Sequence, residues 1–332
     1  METIIGWFPF LGPILNNLPA AIILLVVGFV LLVKGADAFV DGASSVAAKL
    51  KIPSLIIGLT VVSMGTSMPE AAVSISASIS GDNAISLGNV IGSNIFNFLM
   101  VVGISSVILP IFTDKDILKR DMPINIVITA VLCILLFDGK LSRLDSIILL
   151  VLFAAYMFIL IRSALKNRVE AEETKVMSWG KSILFVGLGL AAIICGGVTV
   201  VHGAKTVAAT LGMSDTLIGL TVVAIGTSLP ELVTSVVAAK KGDSGIAMGN
   251  VVGSNIFNIL FILGAAGTIM PMTANPEFFI DTAILIAVSF LMLFFAFTKR
   301  ETSRLEGTIC ILVYVAYTAY IIMRAYGFWI FG

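Results

Sequence analysis

Two short stretches place a carboxylate where a carboxylate is hardest to keep. GTSMPE carries Thr66, Ser67, Pro69 and Glu70, and GTSLPE carries Thr227, Ser228, Pro230 and Glu231. Both sit in the middle of apolar runs, with no lysine or arginine near either glutamate. A carboxylate at bilayer depth costs several kcal/mol unless it is paired or lines a wet cavity. Glu70 and Glu231 therefore need a mobile cation or protons as counter-charge. The plainer alternative is a pair of neutral, protonated glutamates that hydrogen-bond helices together.

Proline sharpens the first of these. Pro69 and Pro230 lack an N–H and crowd the preceding turn, so the carbonyls of Gly65 and Gly226 lose their helical partners. Local unwinding frees neighbouring carbonyls, among them those of Ser63 and Ala224. Freed carbonyls, threonine hydroxyls and a carboxylate on one turn make an all-oxygen cation site. Irregular backbone at this depth is tolerated only where it is buried or lines a cavity. A single kink says little, but two matching kinks, each followed by Glu, say a good deal.

GNVIGSNIFN and its copy GNVVGSNIFN supply the third part. Ser93 and Asn97 are four residues apart and face one side of a helix, as do Ser254 and Asn258. They present a hydroxyl and an amide oxygen toward the glutamate turns. Gly88 with Gly92, and Gly249 with Gly253, have the spacing that permits close helix approach. Asn94 and Asn255 lie off that face, and interhelical hydrogen bonding accounts for them as well as ion binding does. No Cys or His lies in these motifs, which disfavours soft metals. Carboxylate, hydroxyl, amide and carbonyl oxygens suit Ca²⁺, and Na⁺ is nearly the same size. Two glutamates give a charge of −2, which one Ca²⁺ or two Na⁺ neutralise. One ligand set with two mutually exclusive loadings is the physical basis of antiport.

The elements that position these residues follow from composition. Of 332 residues, 58% are hydrophobic and 12% charged, against about 25% charged in an ordinary soluble domain. The mean hydropathy is +1.10. Twenty basic and twenty acidic residues cancel, leaving no basic face for nucleic acid. This describes a multi-span membrane protein, since a span takes about 20 apolar residues. Ten segments are expected, near 18–49, 53–80, 83–110, 121–138, 143–165, 181–210, 214–240, 244–271, 277–298 and 304–327. The fold class is thus an all-α membrane protein. Fifteen basic residues fall on one face of this plan and Lys140, Arg143, Arg324 and Lys205 on the other. Positive-inside then puts both termini outside the cytoplasm, and no cleaved signal peptide is indicated.

The chain also repeats itself. Residues 57–110 align with 218–271 without a gap at an offset of 161, with 29 of 54 positions identical. Each half holds five spans, an odd number, so the second enters the membrane inverted. The expected organisation is a first five-span repeat over 1–165, a short cytoplasmic loop over 166–180, and a second five-span repeat over 181–332. Secondary transporters are often built this way, with the ion site at mid-membrane between the repeats.

Several residues stay outside this scheme. Cys133, Cys195 and Cys310 read as small buried hydrophobes. Lys34 is expected to pair with Asp37 one turn later. His202 aligns with Asp41 and reads as packed or interfacial, with a proton relay as the alternative. No nucleophile with a base surrounds it, so no enzyme is expected, and no cofactor or protein partner is indicated. The expected partners are small cations, Ca²⁺ and Na⁺, and the lipid bilayer.

With the two copies of GTSxPE and GNxxGSNxxN, the chain resembles the cation/calcium exchanger superfamily over its whole length. It is most similar to the prokaryotic sodium/calcium exchanger type. The resemblance implies an antiporter in a prokaryotic inner (plasma) membrane, with Ca²⁺ and Na⁺ as cargo and alternating access by sliding of the first and sixth spans. It implicates Thr66, Ser67, Glu70, Ser93, Asn97, Thr227, Ser228, Glu231, Ser254 and Asn258, with the carbonyls of Ser63 and Ala224, as ion ligands. Position 258 is Asp in potassium-dependent members, so Asn258 argues against a potassium requirement and favours Na⁺ over H⁺ coupling. A Ca²⁺/H⁺ antiporter of the same fold is the alternative, with a cation channel further off.

Overall fold

The computed structural model describes residues 17–81, 83–166, 176–212 and 224–325. They fold into helices α1 (Leu18–Leu50), α2 (Ser54–Thr66), α3 (Met68–Ile79), α4 (Ala84–Ile108), α5 (Ile117–Asp138), α6 (Arg143–Lys166), α7 (Trp179–Thr210), α8 (Ala224–Thr227), α9 (Leu229–Lys240), α10 (Ser244–Ile269), α11 (Pro276–Lys299) and α12 (Arg304–Ala325). Among the described residues eight are long and apolar enough to cross a membrane. The pair α2 and α3, bent by 49° at Ser67, makes a ninth. The first part of the expected 214–240 segment lies outside the described residues. The expected loop over 166–180 is shorter at its ends, because α6 runs to Lys166 and α7 begins at Trp179.

Helices α4 and α10 form the centre. Their apolar windows are 72% and 94% buried, whereas those of α1 and α12 are 22% and 11% buried. The outer helices keep large apolar side chains such as Val26, Phe294 and Leu312 exposed, as a lipid-facing surface requires. Halves interdigitate: α2 of the first half packs its backbone on α10 of the second. A Cβ at Gly249 would lie 2.9 Å from the Leu55 carbonyl oxygen, and one at Gly253 2.7 Å from Ser63 Oγ. The glycine spacing in the second motif therefore serves the close approach expected of it.

The two longest helices run side by side. Helix α1 has 33 residues and α7 has 32, each about 50 Å at 1.5 Å per residue. Asn17 and Ser178 cap them, accepting from the N–H groups of Ala20 and Lys181. Backbones meet where glycine recurs every seven residues: a Cβ at Gly35 would lie 2.9 Å from the Gly189 oxygen, and one at Gly196 2.8 Å from the Gly28 oxygen.

Two antiparallel two-residue bridges join loops at opposite ends of α5. Strand β1 (Ile111–Phe112) pairs with β4 (Glu301–Thr302), and β2 (Lys140–Leu141) pairs with β3 (Met272–Thr273). Each bridge joins loops that the expected ten-span plan puts on one side of the membrane.

Two expectations need correction. Asp37 pairs not with Lys34 but with Lys241, 3.6 Å away, whose ammonium also meets Asp41 Oδ1 at 2.6 Å. The first-turn neighbour loses because Lys241, at the end of α9, brings one cation to two carboxylates. Cys195 is exposed rather than buried, while Cys310 is buried and Cys133 half-buried. All three are free thiols.

Candidate cation site

Each glutamate turn is a broken helix. In the first, Ser67 leaves helical geometry at φ −83°, ψ 9°, and α3 restarts with Pro69 in its first turn and Glu70 behind it. In the second, Ser228 does the same at φ −91°, ψ 6° before α9, with Pro230 and Glu231 in its first turn. The breaks differ in detail. The Ser67 N–H still reaches the Ser63 oxygen at 3.1 Å, so the Ser63 carbonyl, expected to be freed, keeps its helical donor, whereas the Ser228 N–H takes the tighter bond to the Ile225 oxygen at 3.2 Å. Both glutamates thus sit at a helix N-terminus, where the backbone dipole favours negative charge.

The two turns meet and exchange hydroxyls. Ser67 Oγ donates to Glu231 Oε1 at 2.7 Å, and Ser228 Oγ donates to Glu70 Oε1 at 3.0 Å. Both carboxylates are 0% exposed. Their other oxygens, Glu70 Oε2 and Glu231 Oε2, have no hydrogen-bond donor among the described residues. Neither glutamate joins any ion pair among the described residues.

Further oxygens gather around them. Thr66 Oγ1 donates to Asn250 Oδ1 at 2.9 Å, and Thr227 Oγ1 lies 3.5 Å from Asn89 Oδ1. Ser254 Oγ donates to the Ser63 oxygen at 3.4 Å, while Ser93 Oγ is buried without a partner. Asn97 and Asn258 each begin a π turn, Asn97–Val101 and Asn258–Leu263. A π turn re-aims the residues around it and often marks a functional site. The amide nitrogen of Asn97 donates to Asn255 Oδ1 at 3.1 Å and that of Asn258 to Asn94 Oδ1 at 3.0 Å. Both amide oxygens, Asn97 Oδ1 and Asn258 Oδ1, are left without a donor in the interior. Buried polar atoms almost always find partners. Here two carboxylate oxygens, two amide oxygens and a hydroxyl find none among the described residues.

Of the residues singled out in the sequence, hydrogen bonds tie Ser63, Thr66, Ser67, Glu231 and Ser254 into one buried set, with Asn250, and Glu70, Thr227 and Ser228 into another, with Asn89; the two sets meet because Ser67 and Glu70 lie on one turn, as Ser228 and Glu231 do on the other. Asn97 and Asn258 belong to a second buried group, hydrogen-bonded with Asn255 and Asn94, and the π turns that they open pack against α9 and α3, the helices that carry the glutamates. Ala224 opens α8 at the position equivalent to Ser63. Among the described residues no group of three His, Cys, Asp or Glu side chains could hold a metal, so most ligand oxygens here must be neutral. Met68, inside the first motif, is 43% exposed and stands apart from the cluster.

Sequence reasoning passed over Asn89 and Asn250. Asn250 Nδ2 donates to the Glu231 carbonyl oxygen at 3.2 Å and to Ser235 Oγ at 2.9 Å. Asn89 repeats both bonds, to the Glu70 carbonyl oxygen and Ser74 Oγ, at the same 3.2 and 2.9 Å. They lash each glutamate's backbone to the neighbouring helix. Their signal was available: both asparagines and both serines recur at the offset of 161.

Fold and cluster together define an all-helical integral membrane protein with a buried, oxygen-rich polar centre. Residues 20–162 and 181–323 each match the sodium/calcium exchanger protein family, and the chain belongs to that family. It is 37% identical over 342 residues to the sodium/calcium exchanger MaX1 of Methanosarcina acetivorans, covering 89% of this chain and 96% of that one. It is 38% identical over 281 residues to the inner membrane protein YrbG of Escherichia coli, covering 81% and 86%. Among solved structures, the sodium-calcium exchanger NCX_Mj soaked with Na⁺ and Sr²⁺ superposes with a TM-score of 0.80 at 34% identity. That match covers 91% of this chain and 99% of the other.

Proposed function

We propose that this protein is a secondary active antiporter that exchanges Na⁺ for Ca²⁺ across a prokaryotic inner membrane by alternating access. The observation that carries the reading is the set of buried oxygens of Glu70, Glu231, Asn97 and Asn258 that lack a donor, with no ion pair to either glutamate, among the described residues. A dehydrated cation supplies what these atoms lack, and oxygen is the ligand that Ca²⁺ and Na⁺ take. Thr66, Ser67, Ser93, Thr227, Ser228 and Ser254, with the carbonyls of Ser63 and Ala224, complete the ligand set. The names borne by MaX1 and NCX_Mj support this cargo.

The architecture we propose is ten spans in two inverted five-span halves, with both termini outside the cytoplasm. Support comes from the doubled family match at a constant offset and from the reciprocal Ser67–Glu231 and Ser228–Glu70 bonds. A binding charge of −2 is neutralised by one Ca²⁺ and over-neutralised by three Na⁺. Exchange of one for three moves net charge and responds to voltage by about 2.3 kcal/mol per charge per 100 mV. Neutral Asn97 and Asn258 favour Na⁺ over H⁺ as the coupling ion.

The test is ⁴⁵Ca²⁺ uptake into proteoliposomes under separately imposed Na⁺, K⁺ and H⁺ gradients. Uptake is expected with an outward Na⁺ gradient alone and without K⁺. Uptake that follows the pH gradient instead identifies a Ca²⁺/H⁺ antiporter, and uptake that ignores all three rejects coupling altogether.

A further inference from the structure

An asparagine side chain has two ends of almost equal shape and opposite polarity, and only the oxygen end can bind a cation. Something must therefore decide which end of Asn97 and of Asn258 faces the glutamates. Two residues that sequence reasoning left undecided do so. Asn94 Nδ2 donates to the Asn255 backbone oxygen at 3.0 Å, and Asn255 Nδ2 donates to the Asn94 backbone oxygen at 3.2 Å. A backbone carbonyl only accepts, so each of these amides must turn its nitrogen toward it. Each then presents its Oδ1 the other way. Asn94 Oδ1 takes the nitrogen of Asn258, and Asn255 Oδ1 takes the nitrogen of Asn97. The polarity is handed on by one residue, and the oxygens of Asn258 and Asn97 end up without donors. All four asparagines are 0% exposed, so every link is made in the protein interior.

The carbonyls that anchor the relay lie just ahead of the π turns that start at Asn97 and Asn258.

Resting on the cation site proposed above, we propose that Asn94 and Asn255 are positioning residues that hold the amide oxygens of Asn258 and Asn97, respectively, toward the transported cation. Neither touches the cation. Each acts through one named partner in the same sequence repeat as the other positioning residue, so the effect of each crosses between halves.

The test is equilibrium ⁴⁵Ca²⁺ binding to the purified full-length protein, arranged as double-mutant cycles. Asn94→Leu keeps the branched skeleton of the side chain and removes the acceptor for Asn258, and is expected to weaken binding about tenfold. In an Asn258→Ala background the same change is expected to cost less than twofold, because there is no amide left to orient. In an Asn97→Ala background it is expected to keep its full tenfold effect. Asn255→Leu mirrors this, silent with Asn97→Ala and additive with Asn258→Ala, and it serves equally if Asn94→Leu fails to fold. Equal losses in all backgrounds mean that Asn94 only packs the helix crossing, and overturn the inference. Wild-type affinity in Asn94→Leu overturns it too. Wild-type protein that binds no Ca²⁺ overturns the cation site itself, a result distinguishable from both.

Discussion

Ser67 reaches Glu231 and Ser228 reaches Glu70 in one contact made twice, once in each direction. The links between α5 and α6 and between α11 and α12 also occupy equivalent positions, yet they are made in different ways. In the first half Arg120 is held by Asp121 at 2.9 Å and donates to Ser163 Oγ at 2.7 Å, with Tyr156 closing on Asp121. In the second, the position of Arg120 is Asp281 and the position of Ser163 is Arg324. The cation has moved to the other helix, and a bidentate pair with both contacts at 2.9 Å replaces the earlier set. A helix-to-helix clamp accepts any complementary arrangement, so the two copies were free to diverge. The cation site proposed for the centre has to meet one ion from both sides, and it kept its form in both copies.

The largest expected effect strikes the symmetric centre. Glu70→Gln and Glu231→Gln should each reduce ⁴⁵Ca²⁺ exchange to background while leaving the protein monodisperse. A near-normal rate in either one would show that the halves are equivalent in form but not in use. Next comes the asymmetric flank. Asp281→Ala leaves Arg324 nearly buried without its partner and should destabilise the protein by about 3 kcal/mol, read as a lowered unfolding midpoint. Rebuilding the first-half arrangement with Asp281→Arg, Thr282→Asp and Arg324→Ser should recover much of that loss, since Tyr317 already stands where Tyr156 does. Failure of this graft would mean that the flanks are less exchangeable than their positions suggest.

A smaller effect tests reciprocity itself. Ser67→Ala and Ser228→Ala each delete one hydrogen bond to a buried carboxylate, worth about 1.5–3 kcal/mol. Ca²⁺ affinity should fall by about tenfold to a hundredfold, and by similar factors in the two variants. The smallest lies at the rim. Lys241→Gln breaks the cluster with Asp37 and Asp41, whose counterparts in the other half are Ser80, Val198 and His202. Exposed ion pairs contribute about 1 kcal/mol or less, so the unfolding midpoint should move only slightly.

Much of the centre was legible because polar residues inside apolar runs have few reasons to be there. Glu70, Glu231 and their prolines announced both a charge and a break. The repeat told which residues belonged together before any contact was known. The partner of Asp37 was not legible, because Lys241 is remote in sequence and only the packing of α9 against α1 brings it near. The π turns escaped as well, since one extra residue per turn leaves no trace in a hydrophobic pattern. Asn89 and Asn250 were visible in the repeat but silent in their chemistry, since their contacts run to backbone carbonyls that sequence does not locate.

The two strand bridges bear on how the chain is made. A nascent protein emerges N-terminus first, yet β1 finds its partner only in β4, close to the other end, and Glu70 finds its hydroxyl only in Ser228. The first half therefore enters the bilayer with an open loop edge and an uncompensated acid, and keeps the acid until Ser228, and the edge until Glu301 and Thr302, have been made. Biogenesis of this protein is an interlocking of two incomplete halves, not a docking of two finished ones, and the quality-control window for it opens late.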